Sequence, residues 1–552
     1  MTLQDAGELT PGDTLTGDVC IVGGGVAGVT LAMTLAESGA RIIVLESGGV
    51  GSTGAVLDVS IALARLRRSQ PFSGGRNVGM TYYPLRFSQA CAIGGSSHAW
   101  AQHGMQAAPL DEIDFLAREG FDWHGWPFGR DHLDHWYQRA QRLCNLGPFD
   151  YEAESWARRG MGTVLPLSNE EARSTIFQFT LDGGFDRFVP ILQSAPTARV
   201  VTHATAVVIA VDATGAVTGI ECAASGGNRI TVDADTYVLA AGAIENARLL
   251  LSSTDRQAHG IGNEHDLVGR CFMEHPDLSV GFMIPDGTMS IEDFALYSSQ
   301  PFSDNVAGRA MLRPSDAVLR DDQLLNAVLR LRPTHPTAMA SPVRSAQVLR
   351  RSLHHAVRTK GLWRHAARSL GGVPEMVEHV RRKRSTEPTV LALDLMSEQR
   401  PNPLSRVRLD ERCDRLGRRR ALLDWRLHPD DWRSMHEASE RLAGSLERAG
   451  IGRVVRTWDG DGLRPVFGNW HRLGTTRMHA DPAKGVVDEH CRVHGVDNLF
   501  VAGGSVFPTG GYANPTLTIV ALALRLADHL STRRRTAPVS GSHGTGGPRC
   551  AT

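Results

Sequence analysis

A chain of 552 residues, 42% hydrophobic and 21% charged, is globular in composition and long enough for more than one core. Lys+Arg and Asp+Glu number 59 each, so the formal net charge is zero and nothing global points to nucleic acid or an acidic lipid surface. One large enzyme of two intimately joined domains fits these bounds.

The opening "MTLQDAGELTPGDTLTGD" lacks the basic start and apolar core of a signal peptide, and no apolar run in the chain is long enough to span a bilayer. The 8 cysteines are scattered, with no CxxC pair, so neither a zinc site nor a disulfide framework is suggested. They read as mostly buried thiols in a reducing compartment, and the expectation is a cytoplasmic protein.

"DVCIVGGGVAGVTLAMTLAESGARIIVLESGG" reads as strand, glycine turn, helix and second strand, the context that gives a GxGxxG motif its meaning. Gly23 permits the tight turn, Gly25 lets the backbone approach a pyrophosphate, and Gly28 lets the helix pack on the strand. The helix N-terminus at Val26 and Ala27 then faces the anion. Glu46, ending the second strand, is placed to accept hydrogen bonds from an adenosine ribose, and its charge disfavours a 2′-phosphate. A compact turn beside a solvated strand end is the plain alternative, and the fingerprint does not separate FAD from NAD.

Further along, "HLDHWYQRAQRL" sets Leu133, Trp136, Tyr137 and Ala140 at helical spacing, which suits core packing. From Ala198, alternating β-branched residues broken by "DATGA" and "SGGN" predict a three-stranded meander, and "YVLAAGAIENARLLL" runs strand to helix through Gly242. A βαβ unit followed by a distant meander fits the FAD-binding folds. Residues 344–384 are rich in arginine, with Val348, Leu349, Leu353 and Val357 as a short helical stripe. A surface helix or subunit contact is the plain reading there, and docking to a membrane or acidic partner the alternative. The C-terminal region predicts a strand at Leu499 to Ala502, a glycine and proline loop, a helix from about Thr516, and a Gly/Ser/Pro-rich tail over 533–552 that is predicted to be disordered.

Read with "NWHRLGTTRM", the segment "NLFVAGGSVFPTGGYANPTLT" resembles the closing signature of the glucose-methanol-choline (GMC) flavin oxidoreductases, in the style of their pyranose-oxidase-like and bacterial branch. The resemblance spans nearly the whole chain through "AIGGSSHAW", "PLDEIDF", "GWPFGRDHLDHWYQRA", "GAIENARLLL", "NEHDLVGRCFMEHP" and "EQRPNPLSRVRL". It implies an α/β fold with α+β elements: a glutathione-reductase-like Rossmann FAD domain built from discontinuous segments (14–60, 85–105, 195–285 and 465–532) and a substrate domain (106–194 and 286–464) with a broad antiparallel sheet.

Family members oxidise alcohols. The carbon-bound hydrogen leaves as hydride to flavin N5, while the protein positions the carbon and manages the hydroxyl proton. Histidine suits that task, since its unperturbed pKa of about 6.5 leaves neutral imidazole available. By resemblance, His471 accepts the hydroxyl proton and Asn514 holds the substrate oxygen. The implied FAD contacts are Gly23, Gly25, Val26, Ala27, Gly28, Glu46, Gly94, Gly95, Ser96, Ser97, His98, Val207, Gly242, Gly503, Gly504, Ser505, Pro515 and Thr516. Covalent flavin attachment in some members uses a histidine four residues after the second glycine of the "GG" pair. Here that position is Ala99, and His98 comes one residue early, so non-covalent FAD is expected on the ground that a one-residue slip turns the side chain elsewhere.

His275 belongs to a matching segment, with a structural role and a substrate-cavity contact both open. His479, His490, His494, His529 and the His354–His355 pair show no metal-ligand spacing, and no metal is expected. The expected substrate is a small-molecule alcohol that is polar, with sugars and glycosidic natural products among the candidates. An aliphatic or sterol alcohol is the alternative, as is a lyase that keeps FAD without turning it over. The electron acceptor, oxygen or another, and the oligomeric state stay open, with no nucleic acid or integral membrane segment.

Overall fold

The computed structural model describes residues 2–50, 75–85, 89–102, 104–118, 125–182, 184–224, 227–354, 361–385, 387–458 and 466–536. Strand Thr14–Val22 alternates exposed and buried residues at its start and is buried throughout its second half, as a strand entering the middle of a parallel sheet requires. It pairs in parallel with Ile42–Leu45 on one side and Arg229–Leu239 on the other. The sheet runs Thr2–Asp5, Ala198–Thr202, Ile42–Leu45, Thr14–Val22, Arg229–Leu239, Val217–Ala224, Ala204–Val211.

The long strand Arg229–Leu239 has two jobs. Its first residues, Arg229 to Val232, pair antiparallel with Val217–Ala224 as the last arm of the predicted meander. Its last residues, Tyr237 to Leu239, take Leu499–Val501 in parallel, close to the C-terminus of the chain. Helix Val26–Glu37 packs against the C-terminal helix Thr516–Thr536, which also receives helix Asp134–Leu143. Leu133, Tyr137 and Ala140 of the predicted stripe are fully buried, while Trp136 is partly buried and donates its indole N–H to Asp528.

A second sheet, antiparallel throughout, runs Gly452–Arg456, Asp277–Pro285, Val390–Ser397, Ala327–Thr334, Val306–Pro314, Ala172–Thr180, Met105–Ala107. Helix Pro429–Arg448 packs on it.

The sheets divide the chain a little differently from the expected segments. Thr2–Asp5 joins the first sheet although it precedes residue 14, and Asp277–Pro285 belongs to the second although it precedes 286. Strand membership is decided by the hydrogen-bonding partner, here Ala198–Thr202 and Val390–Ser397, and local pattern carries no trace of a partner more than a hundred residues away. The C-terminal helix also runs four residues into the expected tail, ending at Thr536, and Arg534 pairs with Asp18 at 2.5 Å. Residues 537–552, like Val357 of the basic segment, lie outside the described residues. Cys20, Cys144, Cys222, Cys271 and Cys491 are buried free thiols, Cys91 is partly buried and Cys413 is exposed.

Helix Gly242–Ser252 is tied to the hairpin Arg406–Cys413/Arg419–Asp424 by one buried cation. Arg248, 2% exposed, donates to Asp414 at 2.6 Å, to Glu245 at 3.2 Å and to the Arg419 carbonyl at 2.8 Å. Asp414 keeps Arg418 at 3.2 Å and two backbone amides, so losing Arg248 removes a charged hydrogen-bond partner rather than the whole compensation, at a cost of about 1.5–3 kcal/mol. Arg248→Ala should therefore lower the urea unfolding midpoint by the equivalent of that loss; a midpoint unchanged from wild type would refute the assignment.

Candidate active site

Three neighbouring parallel strands, Thr14–Val22, Arg229–Leu239 and Leu499–Val501, end on the same side of the first sheet, and a glycine follows within three residues of each, at Gly23, Gly242 and Gly503. Crevices outside the carboxyl ends of such strands are where α/β sheets bind ligands. Gly23 has φ +107°, and a Cβ there would lie 2.7 Å from the Ala240 carbonyl oxygen. A Cβ on Gly28 would lie 1.9 Å from the Gly23 oxygen, so helix and turn touch through backbone alone. Gly25 starts the helix without a side-chain cap, which leaves the first-turn amides of Val26, Ala27 and Gly28 for an anion. A Cβ on Gly242 (φ +83°) or Gly503 (φ +104°) would meet nothing within 4 Å, and on Gly25 only the Ala240 oxygen at 4.0 Å. This open, glycine-lined cradle of amides fits the pyrophosphate of a dinucleotide.

Other expected contacts gather around it. The Gly94 amide donates to the Gly24 carbonyl at 2.7 Å, and a Cβ on Gly95 would lie 2.9 Å from the Gly25 Cα, so the two glycine runs lie against each other. Val207 is the extra residue where the ladder between Ala204–Val211 and Val217–Ala224 shifts register, which frees its backbone from that ladder. Ser505 takes a hydrogen bond from Asn246 at 3.1 Å, and the Gly504 carbonyl accepts from Gly474, which knits the 503–506 turn to the "HRLGTT" segment. Pro515 and Thr516 open the C-terminal helix.

Some expected contacts have protein partners of their own. Glu46 is buried and accepts from the Gly24 and Gly48 amides, each at 2.8 Å. Burial raises its pKa against those opposing hydrogen bonds. The carboxylate thus braces the glycine turn, with lone pairs remaining for a ribose. Ser97 donates to the Gly94 carbonyl and accepts from the Phe185 amide, while Ser96 is exposed. His98 places Nε2 2.8 Å from the Ile93 carbonyl and Nδ1 3.7 Å from Asp186. The segment Gly95–Gln102 is a 3₁₀ helix, so the strand-like alternation used to reason about His98 and Ala99 does not operate here; one residue turns the side chain by a third of a revolution instead.

His471 and Asn514, 43 residues apart, meet: Asn514 Nδ2 lies 3.0 Å from His471 Nε2. The surroundings are built by His275, for which a structural role and a substrate-cavity contact were both open, and by Glu274, Tyr82 and Trp470, which no sequence motif singled out. His275, fully buried, lies with Nδ1 2.8 Å from His471 Nδ1 and Nε2 3.3 Å from the Gly510 carbonyl. A carbonyl only accepts, so His275 Nε2 carries the proton and its Nδ1 accepts. His471 must then donate from Nδ1, which leaves the lone pair on Nε2, facing Asn514. Burial holds both rings neutral, lowering His275 to about 4 and His471 well below the usual histidine value.

Glu274, fully buried, accepts the Asn469 and His471 amides at 3.0 and 2.9 Å and the Tyr82 hydroxyl. Between those amides Trp470 adopts φ +59°, an uncommon conformation for a bulky residue, with its ring 4.4 Å from that of Tyr83. The positive φ turns the chain so that His471 faces inward. Among the described residues, the buried Oδ1 of Asn514 has no hydrogen-bond partner. No group of three or more His, Cys, Asp or Glu among them is arranged to hold a metal ion.

A dinucleotide cradle and a neutral, oriented histidine in one fold fit a dinucleotide-dependent oxidoreductase. Comparison with known proteins agrees: the "GMC oxidoreductase" profile matches residues 401–523 and the "FAD binding domain" profile residues 18–269. The chain is 24% identical to the fructose dehydrogenase large subunit of Gluconobacter japonicus, over 94% of this chain and 98% of that one. It is 25% identical to the 6'''-hydroxyparomomycin C oxidase of Streptomyces lividus, over 94% and 92%. The formate oxidase of Aspergillus oryzae shares the fold at 18% identity, with a TM-score of 0.56 over 96% of this chain and 100% of that one. The chain belongs to the GMC oxidoreductases, FAD-dependent enzymes that act on the CH–OH group of alcohols.

Because Gly28 meets Gly23 backbone to backbone, Gly28→Ala should purify with roughly tenfold less flavin per protein, read from the visible absorbance. Gly287→Ala, at a position with open space, should keep the wild-type ratio. Full flavin in Gly28→Ala would refute the close-packing role.

Proposed function

We propose that this enzyme oxidises a hydroxyl of a polar, sugar-like or glycosidic compound to a carbonyl, with His471 as the base. The observation that carries the reading is the directed chain from the Gly510 carbonyl through His275 to His471, which presents an unprotonated Nε2 to the space beside Asn514. There the substrate hydroxyl replaces Asn514 Nδ2 on the Nε2 lone pair, so that His471 accepts the hydroxyl proton while Asn514 Nδ2 turns its N–H to the substrate oxygen, and the unpartnered Asn514 Oδ1 is an acceptor for a neighbouring hydroxyl. A polyol has such a neighbour. By name, the two long relatives act on fructose and hydroxyparomomycin, both polyhydroxylated compounds.

When bound, FAD supplies the acceptor for the hydride that leaves carbon. The chain's own residues orient the alcohol and hold the proton. His275 stays neutral, so the histidine pair carries one charge at most after proton transfer. We also propose that FAD is held without a covalent link, supported by the hydrogen bond that holds His98 Nε2 on the Ile93 carbonyl and by Asp186 3.7 Å from its Nδ1.

His471→Ala should keep its flavin yet lose about 10²- to 10⁴-fold in kcat/KM. Because the histidine pKa is lowered, the wild-type rate should be flat from about pH 6.5 upward and fall only below that, as the base protonates. Full activity in His471→Ala would overturn the base assignment. Anaerobic mixing with fructose, aminoglycosides and simple aliphatic alcohols tests the substrate class. Bleaching by the first two supports it, bleaching by aliphatic alcohols alone overturns it, and a coloured enzyme that turns over its substrate is a lyase.

Acid precipitation should release the yellow colour into the supernatant. Colour retained in the pellet would make His98 the tether.

A further inference from the structure

Residues 341–385 form three helices, Ser341–His354, Leu362–Leu370 and Val373–Ser385, which pack mainly on one another and on the turn Pro336–Met339. This segment holds eleven Lys and Arg against two acidic residues, Glu375 and Glu378, a surplus of nine in a chain whose total charge is zero. The rest of the molecule is therefore net negative, and the positive charge is concentrated here.

Several positions of these helices invert the usual polarity. Ser345, Ser352 and Ser369 are buried at 3%, 2% and 6% exposure, whereas Trp363 and Leu370 are 71% and 76% exposed. On Leu362–Leu370 the exposed pair stands seven residues apart with Ala366 and Ala367 between, so one helical face is apolar and outward. On Val373–Ser385 the exposed Val373, Val377 and Val380 repeat at four and three residues and make a second such face. Exposed arginines flank both, and the Arg364 guanidinium lies 5.3 Å from the centre of the Trp363 ring.

Polar contacts seat the segment on the second sheet. Arg351 donates to Asp277 at 3.3 Å with its guanidinium over the Phe467 ring at 4.1 Å, and Thr337 meets His379 at 2.7 Å. The serines, Val343 and these polar ties face the protein, whereas Trp363, Leu370, Val373, Val377 and Val380 face away from it. Among the described residues no helix is long and apolar enough to cross a membrane, so any lipid contact would be in the plane of the surface.

We propose that this helical appendage docks on an anionic lipid bilayer. Trp363, Leu370, Val377 and Val380 enter the interface, and the flanking arginines meet acidic headgroups. Two observations favour lipid: the surplus of nine positive charges in a chain of zero net charge, which a surface of acidic headgroups complements, and the Trp–Arg pairing at the apolar edge. The acidic remainder of the molecule orients the appendage toward the negative surface and is itself repelled.

The test is co-sedimentation of the full-length, FAD-loaded protein with vesicles of phosphatidylcholine alone, or of equal parts phosphatidylcholine and phosphatidylglycerol. The protein should pellet with the mixed vesicles only, and less as salt is raised. Combined Trp363→Ser, Leu370→Ser and Val377→Ser should weaken pelleting by at least about tenfold, given what three inserted apolar side chains contribute, with flavin content and thermal midpoint unchanged. Arg364→Glu with Arg368→Glu should abolish the preference for the acidic lipid. No pelleting with mixed vesicles, or pelleting equal in the apolar variant, would overturn the proposal. So would light scattering that shows a wild-type oligomer reduced to monomer in the apolar variant without any vesicle binding, because the face would then join copies of this chain.

Discussion

The Glu274 carboxylate holds the loop on which the candidate site depends. It is fully buried, and it draws the Asn469 and His471 amides to one oxygen and the Tyr82 hydroxyl to the other. A buried carboxylate needs such partners, since without them its desolvation would be too costly. The two amides cannot both reach Oε2 unless the chain between them turns tightly, and Trp470 at φ +59° is that turn. Tyr83, whose hydroxyl bonds the Gly468 carbonyl at 2.6 Å and whose ring meets Trp470, supports the strained residue from the other side.

From that loop the histidine geometry follows. His275 is the residue after Glu274, so the carboxylate that fixes the His471 backbone and the imidazole that orients its side chain enter on the same short segment. Asn469 Nδ2 donates to the His275 carbonyl at 3.1 Å and closes the arrangement. On the far side, Gly474 bonds Gly504 and Thr476 bonds Ser505, so the His471 segment is fastened to the glycine turn after Leu499–Val501. His471 and the dinucleotide cradle are thereby held in one frame by backbone hydrogen bonds, the kind of support that fixes a side chain's orientation.

Much of the first sheet was legible because its signals are local. The fingerprint strand, turn and helix, the meander broken at "DATGA" and "SGGN", and the strand and helix around Gly503 and Thr516 each carry their own periodicity and turn residues. The second sheet was legible only as a family expectation. Its strands pair across long intervals, and Asp277–Pro285 fell on the wrong side of the expected boundary because nothing in its own pattern names its neighbours. The direction of His98 was hidden for a related reason: "GGSSHAWAQ" has no local mark that separates a 3₁₀ helix from a strand, and side-chain direction depends on which it is.

What the sequence determined by itself is the chemistry available: a glycine turn that admits a pyrophosphate, an acid after the second strand, and a histidine and an asparagine in two late motifs. Local residue type is enough for these, because conformational freedom, charge and hydrogen-bonding capacity belong to each residue wherever it stands. Which histidine nitrogen is left unprotonated was decided only by tertiary structure. It depends on a carbonyl at Gly510, a ring at His275 and a carboxylate at Glu274 arriving from different parts of the chain, and a proton's position on imidazole is set by whichever partners fold around it.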